Sequence, residues 1–166
     1  MIVRPRYLRG YLDGSDDLVR LERHTLDHRS RIPLPVYADA GLQVTALGVT
    51  HGAVPALAYR VDYQGQAIVF SRDQNGDDPE FVAFARGADL LVMAHAVPED
   101  AGPVAARLHA LPSEIGAIAL GAGVKHLVLS HLMRRSERAL DQSLGIIRSH
   151  YPGPITVAED LLCMAL

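Results

Sequence analysis

From Gly41 onward, short apolar runs punctuated by Gly and Pro recur in one order, and that order restricts the fold more than any other feature. Leu42 to Val49 reads as a strand. Leu57, Tyr59, Val61 and Tyr63 alternate with Ala58, Arg60 and Asp62, which is the period of a half-buried strand. A Gln64-Gly65-Gln66 turn leads into Ala67 to Phe70, so these two runs predict a hairpin. Asp78-Pro79 then reads as a helix start, an N-cap acceptor followed by Pro at the first helical position, with the helix running to Arg86 and stopping at Gly87. Leu90 to Met93 is a continuous apolar run, as in a strand covered on both faces.

A second helix opens near Pro112 and stops at Gly121-Ala122-Gly123, and His126 to Ser130 is another short buried strand. A third helix starts at Ser136, with Leu140, Leu144 and Ile147 along one face, and Ile155 to Ala158 is the last strand. The series β-β-β-α-β-α-β-α-β predicts an α/β (α+β) chain: a mixed β-sheet, antiparallel at first and then built from βα units, with flanking helices.

Residues 1–40 differ from the rest. They hold seven Arg, and Pro33 and Pro35 would break any late helix. A short polar helix over Asp16 to Leu26 is the only regular element expected there, so the region reads as an irregular N-terminal arm and residues 41–166 as the domain. The 166 residues suffice for one hydrophobic core without disulfides, and Cys163 is the single cysteine. The N-terminus lacks the apolar stretch of a signal peptide and no segment has the length of a membrane span, so a soluble cytoplasmic protein is expected. A net charge of −3 gives no global basic footprint, so charge does not indicate nucleic acid. Eight His in such a chain is high, and imidazoles serve both metal binding and proton transfer.

Three side chains with metal-ligating chemistry stand at equivalent places: His51 after the first strand, Asp73 after the third, and His131 after strand 126–130. Sites in α/β sheets gather beyond the carboxyl ends of the strands, and two imidazoles with one carboxylate suit zinc or a similar divalent ion. Taken singly, a His or Asp in such a place is more often a turn former or a cap; their shared placement is what raises them.

These segments resemble the metallo-β-lactamase-fold hydrolases, in particular the ribonuclease Z-like and arylsulfatase-like branch. Thr50-His51-Gly52 leading into an apolar hairpin resembles the third metal motif of that family. Val69-Phe70-Ser71-Arg72-Asp73 is similar to its strand–Ser–Gly–Asp motif, whose Asp bridges two metals. Gly123-Val124-Lys125-His126-Leu127-Val128-Leu129-Ser130-His131-Leu132 is close to its final GVKRLVLTHL strand and metal-binding His, and His109 with Glu114 resembles the His-x-x-x-x-Glu segment opening the preceding helix. The resemblance covers residues 42–166 in the family order and implies the C-terminal half of an αββα sandwich.

Two departures stand out. The family's opening signature, His-x-His-x-Asp-His, does not occur in these 166 residues, and Arg72 and Gln74 replace the usual Gly and Thr on either side of Asp73. The chain is therefore expected to be the later half of a larger enzyme, with Met1 as an internal start. The implied function is metal-dependent hydrolysis, in which hydroxide formed on a divalent metal, two Zn ions with Mn or Fe as alternatives, attacks a phosphodiester or ester. By the resemblance, His51, Asp73 and His131 hold the metals and His109 faces the leaving group; Arg134 and Arg135 are candidates to pair with a substrate phosphate. The expected partners are a small-molecule or phosphoester substrate and a second copy or a complementing N-terminal half. The competing expectation is a non-catalytic α/β module that assembles through an exposed sheet face.

His95 and His126 are expected to be structural, the former just after a buried strand. Asp77-Asp78 beside Asn75-Gly76 lacks the spaced oxygens of a calcium loop and reads as helix capping.

Overall fold

A computed structural model describes residues 24–165, so most of the expected 16–26 helix lies outside the described residues. Seven strands form one sheet in sequential order: β1 (Leu34–Asp39), β2 (Leu42–His51), β3 (Val54–Tyr63), β4 (Gln66–Phe70), β5 (Leu90–Ala94), β6 (His126–Ser130) and β7 (Ile155–Val157). The first four pair antiparallel, and β4 through β7 pair parallel. Five helices are present among the described residues: α1 (Pro79–Phe84), α2 (Pro103–Ala106), α3 (Pro112–Ala122), α4 (Arg134–Arg138) and α5 (Leu140–His150). This is the mixed sheet with flanking helices that the residue pattern predicts.

Three details differ from the sequence reading. The sheet begins at Leu34, inside the stretch expected to be irregular, because Leu34 to Asp39 adds to the free edge of β2. The short helix α2 was not foreseen; four residues opened by Pro103 carry too little periodicity to register. The third helix is broken at Ala139, whose φ of −105° separates α4 from α5.

Period-two alternation decides the core. Leu47, Val49, Ala56, Ala58, Val69, Leu91, Met93, Leu127 and Leu129 project from one sheet face onto Phe81, Phe84, Ile115, Ile118 and Ile147 of the helices. The helices approach closely where side chains are small: a Cβ on Gly116 of α3 would lie 2.9 Å from the carbonyl oxygen of Ile147 in α5. Gly123 ends α3 in the left-handed conformation at φ 60°, as the Gly-Ala-Gly stop predicts. The turn joining β3 to β4 has positive φ at both Gln64 and Gly65, the geometry that matches strand twist in a two-residue hairpin.

The opposite sheet face has no helix on it among the described residues. It carries Leu57, Tyr59, Ile68, Phe70 and Val92, and Phe70 is 41% exposed. Residues 28–30 cross this face at Gly48, whose N–H donates to the Ser30 carbonyl at 3.0 Å.

Candidate metal centre

The pairing directions explain why the candidate residues meet. β2 runs antiparallel to β3, and β3 antiparallel to β4, so β2 points the same way as the parallel strands β4, β5 and β6. His51 at the end of β2, Asp73 after β4 and His131 after β6 therefore emerge at one edge of the sheet. His109 reaches the same edge from the turn before α3.

Asp73 stands between the imidazoles. Its Oδ2 lies 4.0 Å from His51 Nε2 and its Oδ1 lies 3.5 Å from His131 Nε2, one oxygen toward each ring. The His109 ring lies 5.1 Å from that of His51 at an edge-on 62°, and 6.0 Å from that of His131. One donor atom each from His51, Asp73 and His109 falls within a 4.8 Å span.

Backbone contacts fix these side chains. His51 Nδ1–H donates to the Leu108 carbonyl at 2.6 Å, which sets the tautomer and leaves the Nε2 lone pair facing Asp73. The Ala110 N–H donates to the Gln74 carbonyl at 2.7 Å, so the residues on both sides of His109 are tied to segments that carry His51 and Asp73. Glu114 accepts the Leu111 N–H at 2.6 Å, closing the first turn of α3 just beyond His109. Burial, with Asp77 and Glu99 nearby, raises the Glu114 carboxyl above its usual range, against the Leu111 hydrogen bond.

His109 is 8% exposed and its Nδ1 is buried without a hydrogen-bond partner among the described residues. Burial holds this imidazole below the ordinary histidine pKa; Asp73 opposes that shift, while His51, His131 and Arg135 reinforce it. A neutral His109 follows at neutral pH. Two residues of the centre carry backbone strain: His131 at φ 53° and Arg72 at φ 58°, both in the left-handed region. At Arg72 the glycine of the family pattern would sit without that cost.

The remaining candidates divide. Arg135 faces the centre, with Nε donating to the Ala96 carbonyl at 3.4 Å and its charge reaching His109, whereas exposed Arg134 makes no such link among the described residues. His126 donates or accepts at Thr156 Oγ1 at 2.8 Å and is remote from the edge. His95 is fully buried at the end of β5, with neither ring nitrogen bonded among the described residues.

Asp78 departs from its expected role. It occupies the N-cap position of α1, yet its side chain makes no cap bond. Its carboxylate instead accepts the Thr50 N–H at 2.6 Å and the Thr50 hydroxyl at 3.1 Å, fixing the strand end beside His51. Pro79 already satisfies the helix start conformationally, which frees the side chain for this contact. Sequence reasoning also missed the Leu108 and Gln74 carbonyls, because backbone acceptors leave no residue-type signal.

A sequence profile described as "Beta-lactamase superfamily domain" matches residues 5–132. Ribonuclease Z from Pseudomonas putida is 35% identical over 98 residues, covering 52% of this chain and 30% of that protein. The crystal structure of the metallo-beta-lactamase fold protein YhfI from Bacillus subtilis superposes with TM-score 0.64 at 26% identity, covering 75% of this chain and 49% of that one. The short form of human tRNase Z shares the fold, with TM-score 0.60 at 23% identity over 81% of this chain and 47% of that one. The chain thus spans about a third of that bacterial ribonuclease Z and about half of the matched structures.

Proposed function

The chain belongs to the beta-lactamase superfamily domain family, and on that premise we propose that it supplies the later portion of a metal-dependent phosphoester hydrolase site. The observation that carries the reading is Asp73, which offers Oδ2 toward His51 and Oδ1 toward His131 with His109 beside them. A carboxylate with one oxygen turned to each of two imidazoles suits a pair of divalent ions, and zinc is the proposed occupant because imidazole nitrogen with carboxylate oxygen is a donor set it takes in open, catalytic sites. When bound, such an ion supplies Lewis acidity and lowers the pKa of its water from about 15.7 to about 7.

The chain's own residues perform the rest. His51, its tautomer fixed by Leu108, and His131 hold their Nε2 atoms toward Asp73. His109, kept neutral by burial, donates a hydrogen bond toward charge developing on the phosphoryl oxygens or the leaving group. Arg135 adds positive charge on the same side, and Arg134 follows it toward an extended substrate. The missing ligands come from a complementing N-terminal portion, on the same polypeptide or a partner, seated on the apolar face that carries Phe70. The division into an N-terminal arm, residues 1–40, and a half-domain from residue 41 is part of this reading, with strand β1 at the end of the arm joined to the sheet. The described residues include no helix long and apolar enough to cross a membrane, and the cytoplasm is the proposed compartment.

Zinc and manganese titrations by calorimetry test the centre. The chain is expected to bind the ion, and Asp73→Asn to lose that binding; equal affinities in the two proteins would remove the proposal. In the polypeptide that includes the opening signature, Asp73→Asn and His109→Asn should each abolish hydrolysis of bis(p-nitrophenyl) phosphate.

A further inference from the structure

A second cleft of about 360 Å³ is lined by His28, Arg29, Arg31, Thr50 and His51, and none of its lining residues carries a carboxylate. Of its lining residues the hydrolytic reading uses His51 alone. Its cations come from the segment that crosses the open sheet face at Gly48, and the cleft shares His51 with the metal centre.

Arg31 is held in place before any ligand arrives. Its Nε lies 3.3 Å from Asp78 Oδ1, and Nη2 donates to Thr50 Oγ1 at 3.0 Å. A guanidinium has five N–H donors, and no described residue takes those that remain. Asp78 is the same carboxylate that fixes the Thr50 backbone, so one buried acid sets Arg31 and the strand end of His51 together. Arg29 adds a second charge: its backbone N–H is taken by Asp27, while its guanidinium makes no hydrogen bond or ion pair among the described residues. A fork held by Asp78 and Thr50, beside a guanidinium without a partner among the described residues, leaves N–H donors for an oxyanion.

We propose that this cleft is a phosphate subsite, holding a phosphate of the substrate other than the one that is cleaved. The proposal deepens the phosphoester reading and rests on it for the identity of the ligand. It assigns the substrate to compounds with at least two phosphate groups, one at the Asp73 centre and one on the His28–Arg31 side. A substrate with a single phosphate leaves the cleft unfilled.

The test uses the whole 166-residue chain in EDTA, titrated by calorimetry with thymidine dinucleotide carrying a 5′-phosphate and with the same dinucleotide lacking it. The phosphorylated form is expected to bind roughly tenfold more tightly, the scale of one charge-assisted contact. Arg29→Ala, at an exposed position, should erase most of that preference. Arg31→Lys should also reduce it, since the charge is retained and the fork lost, while Arg148→Ala, in the last turn of α5, should leave it unchanged. Equal affinity for the two dinucleotides, or a preference untouched by both Arg29→Ala and Arg31→Lys, would overturn the subsite. Because these titrations contain no metal, a preserved preference in a chain that binds no zinc would uphold phosphate binding at this cleft while overturning both the hydrolase reading and the assignment of that phosphate to its substrate.

Discussion

Gly48→Ala probes the crossing that delivers residues 28–31 to the site. A Cβ built on Gly48 would lie 2.1 Å from the His28 carbonyl oxygen and 2.7 Å from that of Ser30, where ordinary contact begins at 3.4 Å. The obstructing atoms are backbone, so no side-chain rotation relieves them and the crossing segment must move by more than 1 Å (3.4 less 2.1). That displacement breaks the 3.0 Å bond from the Gly48 N–H to Ser30, a loss of about 1 kcal/mol. Residual overpacking adds roughly 1–3 kcal/mol, and the lower chain entropy of unfolded Ala returns about 0.5–1 kcal/mol. A net destabilisation of about 1–3.5 kcal/mol is expected. Urea unfolding measures it as a lower midpoint with an unchanged slope. The 5′-phosphate preference should fall in the same variant, since Arg29 and Arg31 travel with the segment. An unfolding free energy within about 0.5 kcal/mol of the parent would refute the close crossing.

Arg72→Gly should stabilise the chain, since left-handed strain of about 1–2 kcal/mol disappears against a glycine entropy cost of about 0.5–1 kcal/mol; a rise in Tm of a few degrees is the readout, and a fall would contradict the φ of 58°. Asp73→Ala should weaken zinc binding by more than the 10–100-fold typical of outer-sphere partners, measured by competition with a chromophoric chelator. His95 predicts acid sensitivity: burial lowers its pKa below the ordinary 6.5, so the unfolded chain takes up a proton that the folded chain resists, and stability is lost as pH falls below that value. Urea midpoints between pH 7.5 and 5 should drop less steeply in His95→Phe than in the parent; parallel slopes would show that His95 does not contribute.

The strand and helix order was legible because each apolar run lies between unambiguous stops, such as Gln64-Gly65 and Gly121-Ala122-Gly123, and because sheet alternation is visible along β3. β1 was hidden: its residues are mostly exposed, so Pro35, Tyr37 and their neighbours show no buried face. The positions of His51, Asp73, His109 and His131 could be named from local context, and the pairing directions supply the reason they converge. The scaffold around them could not be read. Leu108 and Gln74 act through main-chain carbonyls, and Asp78 acts across the fold while standing where a capping residue is expected. Arg31 in turn depends on Asp78, a partner 47 positions away that no periodicity announces.

The sequential strand order has a kinetic consequence. β1 to β4 are a meander of neighbouring hairpins, so His51 and Asp73 are brought together by contacts of short sequence separation. His131 joins them only after two parallel crossovers, which close larger loops and form more slowly. On the proposed ligand set, a divalent ion would find part of its donors in the earliest-forming unit and the rest only when the parallel strands dock. Loading should then act as a latch on the last stage of folding, adding about 2.7 kcal/mol at a hundredfold excess over its dissociation constant. Withdrawal of the ion is expected to loosen β6 and α4 well before the hairpins, an order that hydrogen exchange can follow strand by strand.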